Sequence, residues 1–139
     1  MKKILCAVDD SDHAKTTVAL AAEMAKGMGA ELTLLAVNEL IGFGGKGEGL
    51  TSYAWDNAEF KHVLDNAAAT AEEAGVSASK KESVKSRDVA RAIAIFAEDN
   101  GFDHIVIGTS GKGGVSRLML GSVSRDVVYR AHCPVTVAR

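Results

Sequence analysis

"HIVIGTSGKGGVSRLMLGSVSRDVVYRA", His104–Ala131, is the stretch on which the reading of the whole chain turns. Its first four residues are nearly all apolar and reach Gly108, which reads as the end of a buried strand. Beyond Ser122, Val123, Val127, Val128 and Ala131 recur at helical spacing. Between them, Gly108–Ser122 holds five of the chain's 14 glycines. Without a side chain, Gly108 lets a ligand approach the backbone at the strand end. Gly111, Gly113 and Gly114 can take positive φ and turn successive N–H groups inward as an anion nest. Gly121 and Ser122 then open a helix whose first N–H groups lack intrahelical partners and whose dipole favours an anion. Lys112, Arg117 and Arg125 add local positive charge. The stretch reads as a phosphate cradle; the plainer alternative is a long turn with Ser122 as a helix cap.

Outward from that stretch, "KKILCAV" (Lys2–Val8), "ELTLLAV" (Glu31–Val37) and "PVTVA" (Pro134–Ala138) are further apolar runs of strand length. Nearly continuous apolar strands are buried on both faces, as in parallel sheets covered by helices. "VSASKKESV" (Val76–Val84) is more polar and is expected at a sheet edge. Helical faces fall between the strands: Ala14, Val18, Ala21, Ala22 and Ala25; then Phe60, Val63, Leu64, Ala67, Ala68 and Ala71; then Val89, Ala90, Ile93, Phe96 and Ala97. Glycines close them at Gly27–Gly29, Gly75 and Gly101. This alternation predicts one α/β domain over residues 1–139, Rossmann-like, with a five-stranded parallel sheet and helices on both faces. Ligands of such sheets sit beyond the carboxyl ends of the strands, where the strand order reverses. That places "VDDSD" (Val8–Asp12), "VNE" (Val37–Glu39) and "GTSGKGG" on one rim, with Ser11 and Asp12 expected to cap the first helix. Leu40–Ser52 reads as a flexible crossover above that rim, or alternatively as a lid.

The bulk properties exclude several classes. At 139 residues with 47% hydrophobic and 24% charged residues the chain has an ordinary globular composition. A net charge of −2 gives no reason to expect nucleic acid as a partner. No apolar run approaches a membrane span, and "MKKILCAVDD" turns acidic too early for a signal peptide, so the expected location is cytoplasmic. Cys6 and Cys133 read as buried small apolar residues, and the scattered histidines have no metal-ligand spacing. "GFGGKGEG" (Gly42–Gly49) satisfies G-x-G-x-x-G but follows the wrong strand and opens no helix. The adjacent acids of "ILCAVDDS" are similar to those of a phosphorylation-receiver domain. That family also needs an acceptor aspartate after a buried third strand and a Lys-Pro pair, and both are missing here. Nor does any Ser/His/Asp, Cys/His or G-x-S-x-G arrangement support a dedicated hydrolase.

Gly108, Gly111, Gly121 and Ser122 satisfy G-x2-G-x9-G-[ST], and this spacing resembles the nucleotide-binding subgroup of the universal stress proteins. The opening "KKILCAVDDSDHA" looks like that family's first strand and Asp-containing loop, and "AHCPVTV" like its last strand. The resemblance covers essentially the whole chain. It implies an ATP-binding homodimer with an adenine-nucleotide-hydrolase-like fold. Asp9 would lie near the ribose and a Mg²⁺ ion, and Val37 would present backbone to the adenine. Gly108, Gly111, Gly121 and Ser122 would hold the ribose and phosphates, Val123 and Ser124 would continue the helix N-terminus, and Val8, Ile107 and Ser110 would line the edge. Asp10 stands where the family often has glycine. The implied role is a regulatory stress-response module with slow hydrolysis at most; the alternative is a nucleotide-independent homodimeric interaction protein.

Overall fold

The computed structural model describes residues 1–43, 51–77, 79–109 and 120–139. Ten elements follow one another: β1 (Lys3–Val8), α1 (Ala14–Met28), β2 (Glu31–Phe43), β3 (Thr51–Tyr53), α2 (Asn57–Glu73), β4 (Lys80–Ser86), α3 (Val89–Asp99), β5 (His104–Gly108), α4 (Ser122–Arg130) and β6 (Val135–Ala138). β2 pairs in parallel with both β1 and β4, β1 with β5, and β5 with β6. The strand order β4-β2-β1-β5-β6 makes a Rossmann-like, five-stranded parallel sheet, to which β3 adds antiparallel to the far end of β2. The chain moves from β1 outward on one side through β2 and β4, then returns to the other side of β1 as β5. The strand order therefore reverses between β1 and β5.

Because successive strand side chains point to opposite faces, each buried strand supplies two cores. Ile4, Cys6 and Val8, with Leu32, Leu34, Ala36 and Val106, pack under α1 and α2. Leu5, Leu35, Val37, Ile105 and Ile107 pack under α3 and α4. Burying one such leucine or isoleucine contributes about 1.5–3 kcal/mol. β4 is the polar edge foreseen, but it lies over Lys80–Ser86 rather than Val76–Val84, with Lys80, Lys81 and Glu82 exposed.

Three sequence expectations need correction. Leu40–Ser52 is not all crossover: β2 runs on to Phe43 and Thr51–Tyr53 returns beside it, with Leu40 opposite Tyr53 and Gly42 opposite Ser52. The residues between, on which a lid would depend, lie outside the described residues. Ser11 and Asp12 do not cap α1; the N-cap is His13, without a side-chain hydrogen bond. The face expected for the last helix is half right. Val127 is fully buried, but Val123 and Val128 are 37% and 46% exposed, while Ser124 turns inward.

Candidate functional site

A cleft of about 340 Å³ opens at the reversal between β1 and β5. Its size is at the lower end of the range of small-molecule sites. Val8, Asp9, Val37, Ile107, Gly108, Gly121, Ser122, Val123 and Ser124 all line it. The expected site residues Ser110 and Gly111 lie outside the described residues.

The loop after β1 forms the floor. Asp9 Oδ1 accepts from the Ser11 N–H at 2.9 Å, and the Ser11 carbonyl accepts from the Ala14 N–H at 3.1 Å, so the chain turns tightly into α1. Asp10 lies on the cleft wall beside them. One turn into α1, the Thr17 hydroxyl donates to the His13 carbonyl at 3.0 Å and lies over Gly108. A Cβ built on Gly108 would meet Thr17 Oγ1 at 3.0 Å. The absent side chain at Gly108 thus answers first to α1 packing.

The opposite wall is the start of α4. Its N-cap is Gly121, not Ser122, with φ −65° and ψ 162°, and a glycine there offers no side-chain cap. The Gly121 N–H donates to the Thr109 carbonyl at 2.6 Å, and the Ser124 hydroxyl donates to the Gly108 carbonyl. Those two bonds bring the ends of the glycine-rich stretch together and hold the α4 N-terminus against the end of β5. Two other helix starts line the cleft: α1 at Ala14, whose N-cap His13 likewise makes no side-chain hydrogen bond, and α3 at Val89. α3 is closed by Asp88, whose carboxylate accepts from the Arg91 N–H at 3.1 Å. α4 presents its first N–H groups, and the positive end of its dipole, at the cleft.

Between these walls the register of β1 with β2 ends at Val8 opposite Ala36, so Val37 is the first β2 residue beyond it. Leu35, Val37, Ala54, Trp55, Val89 and Ile93 make this end of the cleft mainly apolar, and Glu39 adds a carboxylate beside Ala54. Sequence reading missed Thr17, Trp55 and Ile93. Thr17 and Ile93 sit on helical faces that look like ordinary core, and Trp55 follows a segment read as irregular. Among the described residues no group of three or more His, Cys, Asp or Glu side chains could hold a metal ion. Asp9 and Asp10 could supply one or two carboxylates, which suits Mg²⁺ held largely by a ligand's phosphates.

Cys6 lies inside the first core, fully buried, and burial with the nearby Asp9 charge pushes its thiol up to about 12. Cys133 is only half-buried, against the expectation of full burial. Neither is poised as a nucleophile.

The fold and cleft define a class: an α/β domain of Rossmann type with a helix N-terminus and an acidic loop facing one another across the strand reversal. The chain matches the universal stress protein family over residues 1–139, and it belongs to that family. It is 33% identical over 147 residues to a universal stress protein of Methanocaldococcus jannaschii, covering 99% of this chain and 82% of that one. Relatives from Mycobacterium are longer, and the match spans 28% of their length. Universal stress protein UspA from Lactobacillus plantarum has a similar structure, with a TM-score of 0.81 at 26% identity over 99% of this chain and 97% of that chain. The universal stress protein from Archaeoglobus fulgidus in complex with dAMP is also similar, with a TM-score of 0.72 at 26% identity over 100% of this chain and 98% of that chain. No helix among the described residues is long and apolar enough to cross a membrane.

Proposed function

We propose that the chain binds ATP with Mg²⁺ in this cleft and acts as a regulatory stress-response module, with slow hydrolysis at most. The observation that carries the reading is the α4 N-terminus, whose N-cap Gly121 has no side chain to close it and which is held at the strand reversal on the same cleft as Asp9. An anionic ligand is stabilised there by the first N–H groups of the helix and by its dipole. The similar structure holding dAMP supports an adenine nucleotide as that ligand. On this reading Gly108, Gly111, Gly121 and Ser122 hold the ribose and phosphates, with Val123 and Ser124 behind them and Val8, Ile107 and Ser110 at the edge. Asp9 faces the ribose and metal, and Val37 offers backbone groups to the base.

Thermal melts test it. With MgATP at ~100 times its dissociation constant the linkage gain is about 2.7 kcal/mol, which raises the melting temperature by several degrees. GTP raises it less if Val37 is matched to adenine. Melts unmoved by millimolar MgATP would favour the nucleotide-independent interaction protein. The same proposal includes a homodimer built on β6, whose outer edge has no neighbouring strand among the described residues.

A further inference from the structure

The two ends of the cleft differ in chemistry, and one buried amide organises the end that the phosphates would not use. α4 favours charge at one end, so the apolar part of a nucleotide belongs at the other, among Val37, Ala54, Trp55, Val89 and Ile93, with Glu39 beside Ala54. Ala54 and Trp55 sit in the segment between β3 and α2, which needs anchoring if it is to form a wall.

Asn38 supplies the anchor. It follows Val37 on β2, is 1% exposed, and is not itself part of the cleft lining. Its Nδ2 donates to the Trp55 carbonyl at 2.8 Å, and its Oδ1 accepts from the Trp55 N–H at 2.9 Å. Beside it the Ala54 N–H donates to the Glu39 carbonyl at 2.8 Å. A buried amide is costly unless its donor and acceptor are both used. Here they copy the reciprocal pair of an antiparallel ladder and carry the β2–β3 pairing one step further toward the cleft. From the other side the Trp55 ring stacks on Phe60, with centroids 5.7 Å apart and planes at 26°. Just beyond, Asp56 and Glu59 form a capping box that fixes the start of α2. Trp55 is therefore held through both its backbone and its ring.

We propose that Asn38 is a positioning residue for base recognition: by clamping the Trp55 backbone it fixes the wall against which a planar, mostly apolar nucleobase rests. The inference rests on the ATP-binding reading and adds how the cleft would prefer a nucleoside triphosphate to bare polyphosphate. A merely structural Asn38 would affect both ligands alike, because both need the same folded cleft.

The test compares Asn38→Ala with wild type, using MgATP and magnesium tripolyphosphate as competing ligands in titration calorimetry, beside thermal melts. Asn38→Ala should weaken ATP about tenfold, as loss of a buried hydrogen-bonded contact would, with tripolyphosphate affinity within about twofold of wild type. If Asn38→Ala does not fold at the assay temperature, Asn38→Asp replaces it. That variant keeps the shape and the acceptor for the Trp55 N–H but loses the donor, and it should show the same selective loss. Equal weakening of both ligands, or an unchanged ratio, overturns the inference while leaving ATP binding in place. A wild-type protein that binds neither ligand overturns the ATP reading and this inference with it.

Discussion

Gly108 stands between two neighbours: its carbonyl accepts from the Ser124 hydroxyl, and Thr17 Oγ1 lies 3.0 Å from where a Cβ would sit. Gly108→Ala should therefore cost about 1–3 kcal/mol, the range of an overpacked site. Most of that cost should vanish in a Thr17→Ala background. Urea unfolding of the double-mutant cycle measures the coupling, and strict additivity would mean that Thr17 is not the obstacle. Gly121 is a different glycine. With φ −65° and ψ 162° it is extended backbone that any residue adopts. Gly121→Val should thus melt near wild type yet lose ATP binding, because its side chain enters ligand space; tight binding in calorimetry would refute the cradle. The motif named both glycines from the sequence, but only the structure shows the packing constraint at Gly108 and its absence from the backbone of Gly121. His104 shows the same limit. In the sequence it is one of four scattered histidines, yet it is buried, its Nε2 lies 2.6 Å from Thr136 Oγ1, and its Nδ1 has no partner among the described residues. Burial holds its pKa below the ordinary 6.5. The unfolded chain then binds the proton more readily, so stability falls as pH drops below about 6.5 and levels off below the depressed folded value. Chemical denaturation across that window should show a smaller acid loss in His104→Gln than in wild type.

Two glycines at the end of α1 should respond in opposite directions. Gly27 lies within the helix, and a Cβ added there would meet nothing within 4 Å, so Gly27→Ala should stabilise by about 0.5–1 kcal/mol. Gly29 is the C-cap at φ 62°, where its N–H and that of Ala30 close the last turn onto Lys26 and Ala25. Gly29→Ala should destabilise by about 1–2 kcal/mol, the left-handed penalty. Urea midpoints of the two variants decide it, and a shared sign would contradict the cap assignment. The boundaries of such elements were legible because glycine and apolar period are local signals. α1, α2 and α3 read correctly for that reason: Val18, Ala21, Ala22 and Ala25, Phe60 and Val63, and Ala90 and Ile93 are all inward-facing. β4 and α4 read less well. β4 keeps exposed charges because only one side of it pairs among the described residues, and α4 is short enough that Ser124 and Val127 suffice for its buried face.

At the scale of the molecule the two edges of the parallel sheet are unlike. β4 carries Lys80, Lys81, Glu82 and Lys85, charges that discourage strand-to-strand association. β6, "VTVA", carries none, and its Val135 and Val137 are half-buried against the second core. An edge with no neighbouring strand among the described residues is satisfied by antiparallel pairing with a second copy, so light scattering at high micromolar concentration should report a dimer; a monomer there would sink the proposal. The sequence alone determined that this is an α/β layer structure, because buried parallel strands must be apolar throughout and their covering helices must alternate with them along the chain. It also determined which loops could meet, since every strand of a parallel sheet ends on the same rim. What only the tertiary structure decided is how that rim is filled: Thr17 over Gly108, Asn38 holding Trp55 from 17 residues away, and the hairpin that lengthens β2. Those contacts depend on distances between residues far apart in the chain, and local period and propensity carry no information about such distances.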